Sequence, residues 1–264
     1  RSDSDMHTLG FSFHPWTDAR AIADGPSILR YLENTARAYG IGQHIRTGHR
    51  VLRADWSSAD AQWTIIAEQG GAERVFTCAF LFLCTGYYAY SRGHAPEFAG
   101  TADFRGRIVH PQFWPDDLAY KDKRVVVIGS GATAVTLVPE LARRAAHVTM
   151  LQRSPSYVVA QPSEDRIANM LRRRLPARLA YRVTRRKNVL LHHFFHHLAR
   201  TWPDKAKAVL VKKVQAELGA DYDVATHFTP RYKPWDQRVC LAPDADLFVA
   251  IRAGQAEVVT DTIE

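Results

Sequence analysis

The sequence predicts an α/β fold containing a parallel, doubly wound sheet, and three consecutive patterns lead to that class. Residues 123–128 form a short, β-branched apolar run that is typical of a buried strand. The turn at residues 129–134 contains two glycines, and a helical pattern continues from it to about Ala145. A second strand pattern follows at residues 147–151. A strand, a helix and a strand in this order begin a βαβ unit, the building block of a parallel sheet.

The region before this unit is predicted to be a helix followed by a small meander. Asp24 and Pro26 provide a cap and a first-turn proline, and the helical pattern ends near Gly40. Strand patterns, separated by polar turns, follow at residues 45–56, 63–68 and 74–84. The third pattern ends in the apolar run FLFLCTG at residues 80–86.

The longest helical pattern is strongly basic and covers residues 163–218, with breaks at Pro176 and Pro203. From residue 161 to residue 216 there are 14 Lys or Arg and three acidic residues, while the whole chain has a formal net charge of +8. The rest of the chain is therefore slightly acidic, so any effect of the basic charge comes from this one segment.

Two further segments have irregular patterns. Residues 87–120 are rich in Gly, Pro and aromatic residues and are too long for a simple turn, which predicts a functional loop or a hinge between domains. Residues 221–264 predict mixed turns with one short strand at residues 257–260.

The composition is that of an ordinary globular protein, with 46% hydrophobic and 23% charged residues. No run of eighteen apolar residues occurs, which argues against a membrane-spanning helix. The first residues have neither an initiator Met nor the layout of a signal peptide, so the sequence reads as the middle of a longer one. Cys78, Cys84 and Cys240 have no metal-ligand spacing and suit a reducing compartment. We therefore predict a cytoplasmic protein.

The turn after the first strand has the pattern of a dinucleotide-binding loop, Gly129-x-Gly131-x-x-Ala134. Gly129 permits the tight turn, Gly131 lets the backbone approach a pyrophosphate, and Ala134 keeps the helix close to the strand. The free amides at the helix N-terminus favour that anion. The predicted cofactor-binding residues of this Rossmann-like turn are Gly129, Ser130, Gly131, Ala132, Thr133 and Ala134. A glycine turn without a ligand is the alternative.

The end of the second strand indicates which dinucleotide is bound. An NAD site normally has Asp or Glu here, which accepts hydrogen bonds from the ribose. This sequence has Gln152, Arg153 and Ser154 instead. The guanidinium of Arg153 suits a 2′-phosphate, and the hydroxyl of Ser154 can add a hydrogen bond. We predict NADP rather than NAD, with a solvated surface charge at Arg153 as the alternative.

The segment before the turn carries a motif that a known family shares. Residues 104–115 read FRGRIVHPQFWP and match the fingerprint FxGxxxHxxxW(P/D) at every fixed position. Those positions are Phe104, Gly106, His110, Trp114 and Pro115. The sequence resembles the Baeyer–Villiger and flavin-containing monooxygenases in this motif, and the resemblance extends along essentially the whole chain. It implies that His110 and Trp114 organise the linker more than they do chemistry.

The resemblance implies an NADPH-binding domain inserted into an FAD-binding domain. It predicts a partial FAD-binding domain at residues 1–90, a linker at residues 91–121 and an NADPH-binding domain at residues 122–264. A basic helical insertion of the last domain is expected at about residues 161–218. Family members begin with their own GxGxxG turn for FAD, which this sequence lacks. The chain therefore resembles a central fragment, with a Rossmann-like NADPH-binding domain and an incomplete FAD domain of one helix and the meander.

The resemblance also assigns residues to FAD. Arg1 and Asp3 match an R-x-D stretch that lies beside the flavin and the nicotinamide. Val51 corresponds to a residue near the adenine of FAD. Thr85 and Gly86 match the TG that ends a strand of the FAD domain.

The reaction that the resemblance implies is monooxygenation of a small organic substrate by O2. NADPH reduces FAD, and the resulting C4a-peroxyflavin inserts oxygen into a ketone or oxidises a sulfur or nitrogen centre. Arg238 matches an arginine held over the flavin and is assigned to stabilising the peroxide charge, with Asp3 holding and tuning it. Gln237 stands where many relatives have a lysine that touches the 2′-phosphate. The alternative is an NADPH-binding fragment without its own catalysis.

The basic helical segment leaves three interpretations open: contact with an anionic membrane at its cytoplasmic face, contact with an acidic partner, or a solvated surface. Nucleic acid is not predicted, because no recognition motif accompanies the charge. Two i, i+4 pairs in this segment lack a third ligand close in sequence, so no metal is predicted. These pairs are formed by His192, His193, His196 and His197. The sequence leaves the oligomeric state open.

Overall fold

The computed structural model describes residues 1–86 and 88–263 of the chain. These residues form two compact units. The first, which we call the major unit, contains Arg1–Leu29 and the residues from Ala95 onward. The second, the meander unit, contains Arg30–His94. The division into FAD-binding, linker and NADPH-binding domains stays a prediction.

The major unit begins with α1 (Met6–Leu9), a single helical turn. Asp5 caps this turn, because its Oδ1 accepts hydrogen bonds from the amide and the hydroxyl of Thr8 at 2.8 and 3.0 Å. His7 lies on the buried side and is 3% exposed.

The first long helix, α2 (Gly25–Ala38), is the helix that the sequence predicts. The predicted cap is confirmed, since Oδ1 of Asp24 accepts a hydrogen bond from the amide of Ser27 at 2.7 Å. The helix ends before Gly40, whose φ of +62° belongs to the left-handed region that ends helices.

The meander unit contains a three-stranded antiparallel sheet in the order of the chain. Its strands are β1 (Arg50–Ser57), β2 (Gln62–Gln69) and β3 (Ala72–Cys78). Gly70 and Gly71 both have positive φ, as a two-residue hairpin turn requires. β1 begins later than predicted, because a 3₁₀ turn at Ile41–His44 and the positive-φ Gly48 precede it.

The apolar run after β3 is not a strand, and the prediction was wrong there. β3 ends at Cys78, and no strand among the described residues pairs with the residues that follow. Their backbone groups therefore have no ladder to join. Phe80 is 78% exposed, and Phe82 and Leu83 are similarly exposed.

The predicted βαβ unit is present in the major unit. It consists of β4 (Arg124–Ile128), α3 (Ala132–Ala142) and β5 (His147–Gln152). β4 and β5 pair in parallel, with Arg124 opposite His147 and Ile128 opposite Leu151. A further strand, β6 (Tyr157–Gln161), follows β5 and was not predicted.

The basic segment forms three helices, as the sequence predicts. They are α4 (Arg166–Arg174), α5 (Ala177–Thr201) and α6 (Pro203–Leu218). Both breaks fall at the expected prolines, since Pro176 precedes α5 and Pro203 is the first residue of α6. Within the described residues, no helix is both long and apolar enough to cross a membrane.

The tail has more regular structure than predicted. It contains α7 (Val224–His227), β7 (Val239–Pro243), α8 (Asp246–Arg252) and β8 (Ala256–Thr260). β8 confirms the predicted short strand, whereas β7 and α8 were missed. β8 pairs in parallel with β5, which gives a sheet of order β4-β5-β8, and β7 pairs in parallel with β6.

The core of the major unit lies where α3 and α8 pack on the parallel strands. Val138, Val148, Leu247 and Phe248 are completely buried in it. The rings of Phe228 and Phe248 meet edge to face, with their centroids 5.7 Å apart. This packing holds α3 against the sheet and so fixes the position of the turn that precedes the helix.

Candidate cofactor site

The turn between β4 and α3 begins with a glycine that its backbone conformation requires. Gly129 has a φ of +132°, which residues with a side chain rarely adopt. Its amide donates to the carbonyl of Leu151 at 2.8 Å, so the turn is attached to the end of β5. A Cβ at Gly129 would meet no atom within 4 Å, so the backbone angle rather than space demands glycine.

The N-terminus of α3 is open. Gly131 is its N-cap residue and provides no side-chain hydrogen bond to the helix. A Cβ added there would meet no atom within 4 Å. The amides of Ala132, Thr133 and Ala134 have no partner inside the helix, because the first turn precedes the i→i−4 bonds. Such amides, at the positive end of the helix dipole, suit a pyrophosphate.

Arg153 and Ser154 follow β5 at the same end of the sheet as this turn. Parallel pairing places Ile128 opposite Leu151, so the segments after both strands leave from one edge. Arg153 is exposed and makes no ion pair or hydrogen bond with the part of the chain that the structure describes. A guanidinium without an internal partner beside an open helix N-terminus is the arrangement that a phosphorylated dinucleotide needs.

Ser130 connects the turn to the loop after β5. Its hydroxyl donates to the carbonyl oxygen of Ser154 at 3.0 Å, and its Oγ lies 3.0 Å from the Oγ of Ser156. Sequence reasoning named Ser130 and Ser154 but missed Ser156. Nothing in the local pattern distinguishes Ser156 from an ordinary surface serine.

Gln152 has a structural role that sequence reasoning missed. That reasoning used Gln152 only as evidence that no carboxylate stands at the end of β5. It is 2% exposed, and its Nε2 donates to the carbonyl of His227 at 2.8 Å and to Oγ1 of Thr260 at 2.9 Å. His227 Nδ1 lies 2.9 Å from the same Oγ1. The three residues tie the ends of β5 and β8 to α7. The sequence feature that could have indicated this role is a polar amide at the end of an apolar strand.

Asp3 and Arg238, predicted from the resemblance to act together, form an ion pair. Both side chains are about half exposed, so the pair is accessible to a ligand. Arg238 directly precedes β7, and Gln237 beside it is exposed. The structure brings the pair together, and its catalytic role stays a prediction.

Arg1 has a partner that the sequence did not reveal. Its guanidinium forms an ion pair with Asp246 of α8 and donates to the carbonyls of Val135 and Leu241 at 3.2 and 3.4 Å. Burial raises the pKa of Asp246, and the charge of Arg1 offsets part of that rise. In this structure Arg1 joins α3, β7 and α8, and its predicted contact with a cofactor stays a prediction.

Three of the residues assigned to FAD by resemblance, Val51, Thr85 and Gly86, lie in the meander unit. Val51 is exposed on β1, next to a shift in the β1–β2 register. Thr85 and Gly86 follow β3, where the carbonyl of Thr85 accepts a hydrogen bond from the hydroxyl of Tyr90 at 2.8 Å and Gly86 has a φ of +71°. These residues are surface groups of that unit.

The fingerprint segment has local reasons for two of its fixed positions. A Cβ at Gly106 would come within 2.4 Å of the Phe104 ring, so a side chain there would force this ring to move from its position over the glycine. Nδ1 of His110 accepts a hydrogen bond from the amide of Gln112 at 3.2 Å and caps a 3₁₀ turn. The Trp114 ring stands edge-on to another aromatic ring, Tyr120, with a centroid distance of 6.2 Å. These contacts agree with an organising role.

Comparison with known proteins decides the family. The FMO-like family, described as flavin-binding monooxygenase-like, matches residues 10–217. The chain belongs to the FMO-like family. It is 56% identical to the FAD-containing monooxygenase EthA of Mycobacterium tuberculosis, over 100% of this chain and 54% of EthA. It is 48% identical to the putative FAD-containing monooxygenase MymA of the same species and 43% identical to the probable FAD-binding monooxygenase AlmA of Acinetobacter baylyi.

Solved structures confirm the fold of this FMO-like chain. An oxidized steroid monooxygenase bound to NADP aligns with 98% of the chain at a TM-score of 0.73 and 22% identity. Cyclohexanone monooxygenase from Rhodococcus sp. Phi1, bound to NADP⁺, aligns with 98% at a TM-score of 0.67 and 19% identity. The chain covers 56% and 55% of those proteins and spans about half the length of the relatives that it matches. The predicted α/β class and its parallel sheet are confirmed.

The family match and the geometry coincide at the turn. The matched residues 10–217 include Gly129, Gly131 and Arg153 but not Asp3 or Arg238. Among the residues that the structure describes, no group of three or more His, Cys, Asp or Glu could hold a metal ion.

Proposed function

We propose that this FMO-like chain is the NADPH-binding portion of an FAD- and NADPH-dependent monooxygenase. The reaction uses O2 to insert one oxygen atom into a ketone, or to oxidise a sulfur or nitrogen centre, of a small organic substrate. One observation carries the proposal: the open N-terminus of α3 and the guanidinium of Arg153 lie at one end of the parallel sheet. The names of the relatives and their bound cofactors support it.

The chain's own residues fit NADPH at two anionic groups. The amides of α3 bind the pyrophosphate, and Gly131 allows its close approach because a Cβ there would project into open space. Arg153 would hold the 2′-phosphate, since its planar guanidinium suits that group, and the hydroxyl of Ser154 would add a hydrogen bond. Gln237 contributes less, since an amide carries no charge.

For FAD, the chain offers fewer groups. Val51 would contribute to the surface near the adenine, and Thr85 and Gly86, in the irregular segment after β3, would hold another part of FAD. The sequence contains one glycine turn of the βαβ type, at Gly129, and this turn is assigned to NADPH. FAD binding therefore depends on contacts beyond those that this chain's turn provides.

When bound, the flavin supplies the chemistry that activates oxygen. Arg238 would hold a positive charge near the bound flavin, and a charge oriented in advance stabilises developing negative charge without reorganisation. Asp3 holds the guanidinium in that position through their ion pair. Arg1 acts beside them by fixing Asp246 and hence α8 against α3.

Measuring which cofactors the purified chain binds tests the proposal. We expect calorimetric titration to show tighter binding of NADP⁺ than of NAD⁺, because only NADP⁺ carries the 2′-phosphate. Flavin absorbance in the purified protein, with NADPH-dependent O2 uptake on adding a ketone or a sulfide, would support the complete function. Tight NADP⁺ binding without flavin or O2 uptake would instead support an NADPH-binding fragment without its own catalysis. A chain that binds neither NADP⁺ nor NAD⁺ would overturn the proposed monooxygenase function and also the alternative of a non-catalytic NADPH-binding fragment.

We also propose that this protein is cytoplasmic and that it binds the anionic surface of a membrane through α5. The buried residues of that helix are small or polar, namely Ala180, Thr184, Asn188 and Ala199. Several of its large apolar side chains are exposed, with Leu190 at 67% and Phe194 and Phe195 also exposed. Exposed arginines at i, i+4 spacing precede them on the same helix, at Arg178, Arg182 and Arg186. Apolar groups beside a basic row suit an anionic bilayer surface.

Vesicle co-sedimentation tests this surface. We expect binding to phosphatidylglycerol vesicles that weakens with salt, and little binding to phosphatidylcholine. Replacing Arg178, Arg182 and Arg186 by Glu should weaken it at least about tenfold, since each basic residue contributes roughly 1 kcal/mol. The matched control replaces three exposed arginines outside the helical segment, Arg92, Arg105 and Arg124. Equal loss in both triple variants would indicate a general charge effect and overturn the proposal.

A further inference from the structure

A chain of hydroxyl groups joins the two phosphate-binding segments. Ser130 lies in the turn between Gly129 and Gly131, and Ser154 and Ser156 lie in the loop after β5. The Ser130 Oγ is 3.0 Å from the carbonyl oxygen of Ser154 and 3.0 Å from the Oγ of Ser156. One side chain of the turn therefore contacts the loop at two points.

The direction of both hydrogen bonds follows from the inventory of donors. A carbonyl oxygen only accepts, so the single hydroxyl hydrogen of Ser130 is used in the bond to Ser154. Ser130 must then accept in its second contact, and the hydroxyl of Ser156 donates. The order is Ser156 hydroxyl to Ser130 hydroxyl to Ser154 carbonyl. Hydrogen bonds in such a series polarise one another and strengthen together.

This series closes the loop that carries Arg153. The carbonyl of Ser154 and the side chain of Ser156 are fixed on the turn, and Pro155 between them has a restricted φ. Arg153 makes no hydrogen bond or ion pair of its own with the described part of the chain. Its backbone is therefore held by the strand before it and by the bonded loop after it.

We propose that Ser130 and Ser156 are positioning residues that set the spacing between the pyrophosphate amides of α3 and the guanidinium of Arg153. The inference rests on the proposed binding of NADPH. In a dinucleotide the covalent structure limits the distance between the pyrophosphate and the 2′-phosphate. When the turn and the loop are bonded together, the amides of α3 and the guanidinium of Arg153 contact the two phosphate groups at the same time. When the loop moves freely, the amides still bind the pyrophosphate, but Arg153 no longer holds the 2′-phosphate. The two serines therefore contribute to the choice of NADP over NAD.

The test compares NADP⁺ and NAD⁺, which differ only in the 2′-phosphate, by calorimetric titration of the chain. We expect Ser156→Ala to weaken NADP⁺ binding about three- to tenfold, the value of one hydrogen bond, and to change NAD⁺ binding less than about twofold. Ser156→Thr keeps the hydroxyl and should restore the preference. The matched control is Ser12→Ala, since Ser12 is exposed and its hydroxyl bonds with no residue that the structure describes.

A second measurement follows the loop without any ligand. Amide hydrogen exchange of a peptide covering residues 151–158 should become faster in Ser156→Ala and in Ser130→Ala, and stay unchanged in the control. Equal losses for NADP⁺ and NAD⁺, or an unchanged preference in both variants, would overturn the inference and leave NADPH binding intact. A wild-type chain that binds NADP⁺ no better than NAD⁺ would overturn the proposed cofactor itself, and the inference with it.

Discussion

Two regions of the major unit hold polar groups without partners among the described residues, and the regions differ in burial. At the end of the parallel sheet, the first amides of α3 have no side-chain cap, and Arg153 is exposed. Between α1 and α5, the atoms without partners are buried. They are Oδ2 of Asp5, Nε2 of His7, the hydroxyl of Tyr181 and Oγ1 of Thr184.

Because of this difference in burial, a polar group without a partner has opposite consequences in the two regions. An exposed polar group is hydrated, so it exchanges water for a ligand at little cost. A buried group without a partner costs about 1–3 kcal/mol. The open region is therefore ready to bind, whereas the α1–α5 contact is a source of instability. Some of its groups are satisfied, since Oδ1 of Asp5 accepts from Nδ2 of Asn188 at 2.9 Å.

The largest expected effect comes from reversing the charge in the open region. Arg153→Glu should weaken NADP⁺ binding at least about tenfold and up to about a hundredfold, because charge-assisted hydrogen bonds contribute roughly 1.5–3 kcal/mol and the new carboxylate repels the phosphate. Calorimetric titration measures this change. NAD⁺ binding is the control and should stay within about twofold. Equal loss of both nucleotides would show that Arg153 does not contact the 2′-phosphate.

A side chain added at the N-terminus of α3 should weaken nucleotide binding while leaving the stability of the fold almost unchanged. Gly131→Val introduces Cγ atoms where a pyrophosphate approaches, so both nucleotides should bind at least about tenfold more weakly through lost amide contacts. The thermal unfolding midpoint should change little, because Gly131 has a φ of −78° and a ψ of −176°, which valine adopts readily. A variant that binds normally would place the pyrophosphate elsewhere.

The buried region should make the protein sensitive to acid. Burial lowers the pKa of His7 below its ordinary value of 6.5, and the charge of Arg172 adds to this. Lys187 also lowers it, while Asp5 and Asp165 oppose the shift. A group with a depressed folded-state pKa stabilises the fold above its unfolded pKa. That stability is lost as pH falls below about 6.5 through the folded value, by at most about 1.4 kcal/mol per pH unit for one proton.

Urea unfolding at a series of pH values measures this slope. His7→Gln should flatten the slope, because glutamine does not titrate. The control is His193→Gln at an exposed position of α5, which should leave the slope unchanged. An unaltered slope in the His7 variant would assign the acid sensitivity to other groups.

The smallest expected effect is a gain of stability in the buried region. Thr184 is buried and its hydroxyl has no partner among the described residues, so Thr184→Val replaces an unsatisfied group by a methyl of similar size. We expect about 1 kcal/mol of stabilisation in urea unfolding. A loss of that size would show that a bound water satisfies the hydroxyl.

Local patterns were sufficient where structure depends on neighbours in sequence. β4, α3 and β5 follow from periodicity, and the turn at Gly129 and the role of Arg153 after β5 follow from short motifs. β6 was missed because it follows Pro155 and pairs with β7, which lies far along the chain. Residues 79–84 were predicted as strand because they are apolar, but a strand also needs a neighbour.

The contacts within the site were harder to predict than its motifs. Arg1 and Asp246 are 245 positions apart, and no local signal connects them. The pairing of Asp3 with Arg238 came from resemblance rather than from spacing. Ser156 became informative only when the fold placed it beside Ser130. Residues that act through such distant contacts require the three-dimensional structure.

The open N-terminus of α3 has a practical consequence for any thermal measurement. A site for a pyrophosphate also accepts inorganic phosphate and sulfate, which carry the same kind of oxygen atoms. An anion that binds the folded chain and not the unfolded one raises the unfolding temperature by mass action. The melting temperature of this chain is therefore a property of the chain and its buffer together, and it should be higher in phosphate than in an amine buffer of equal ionic strength.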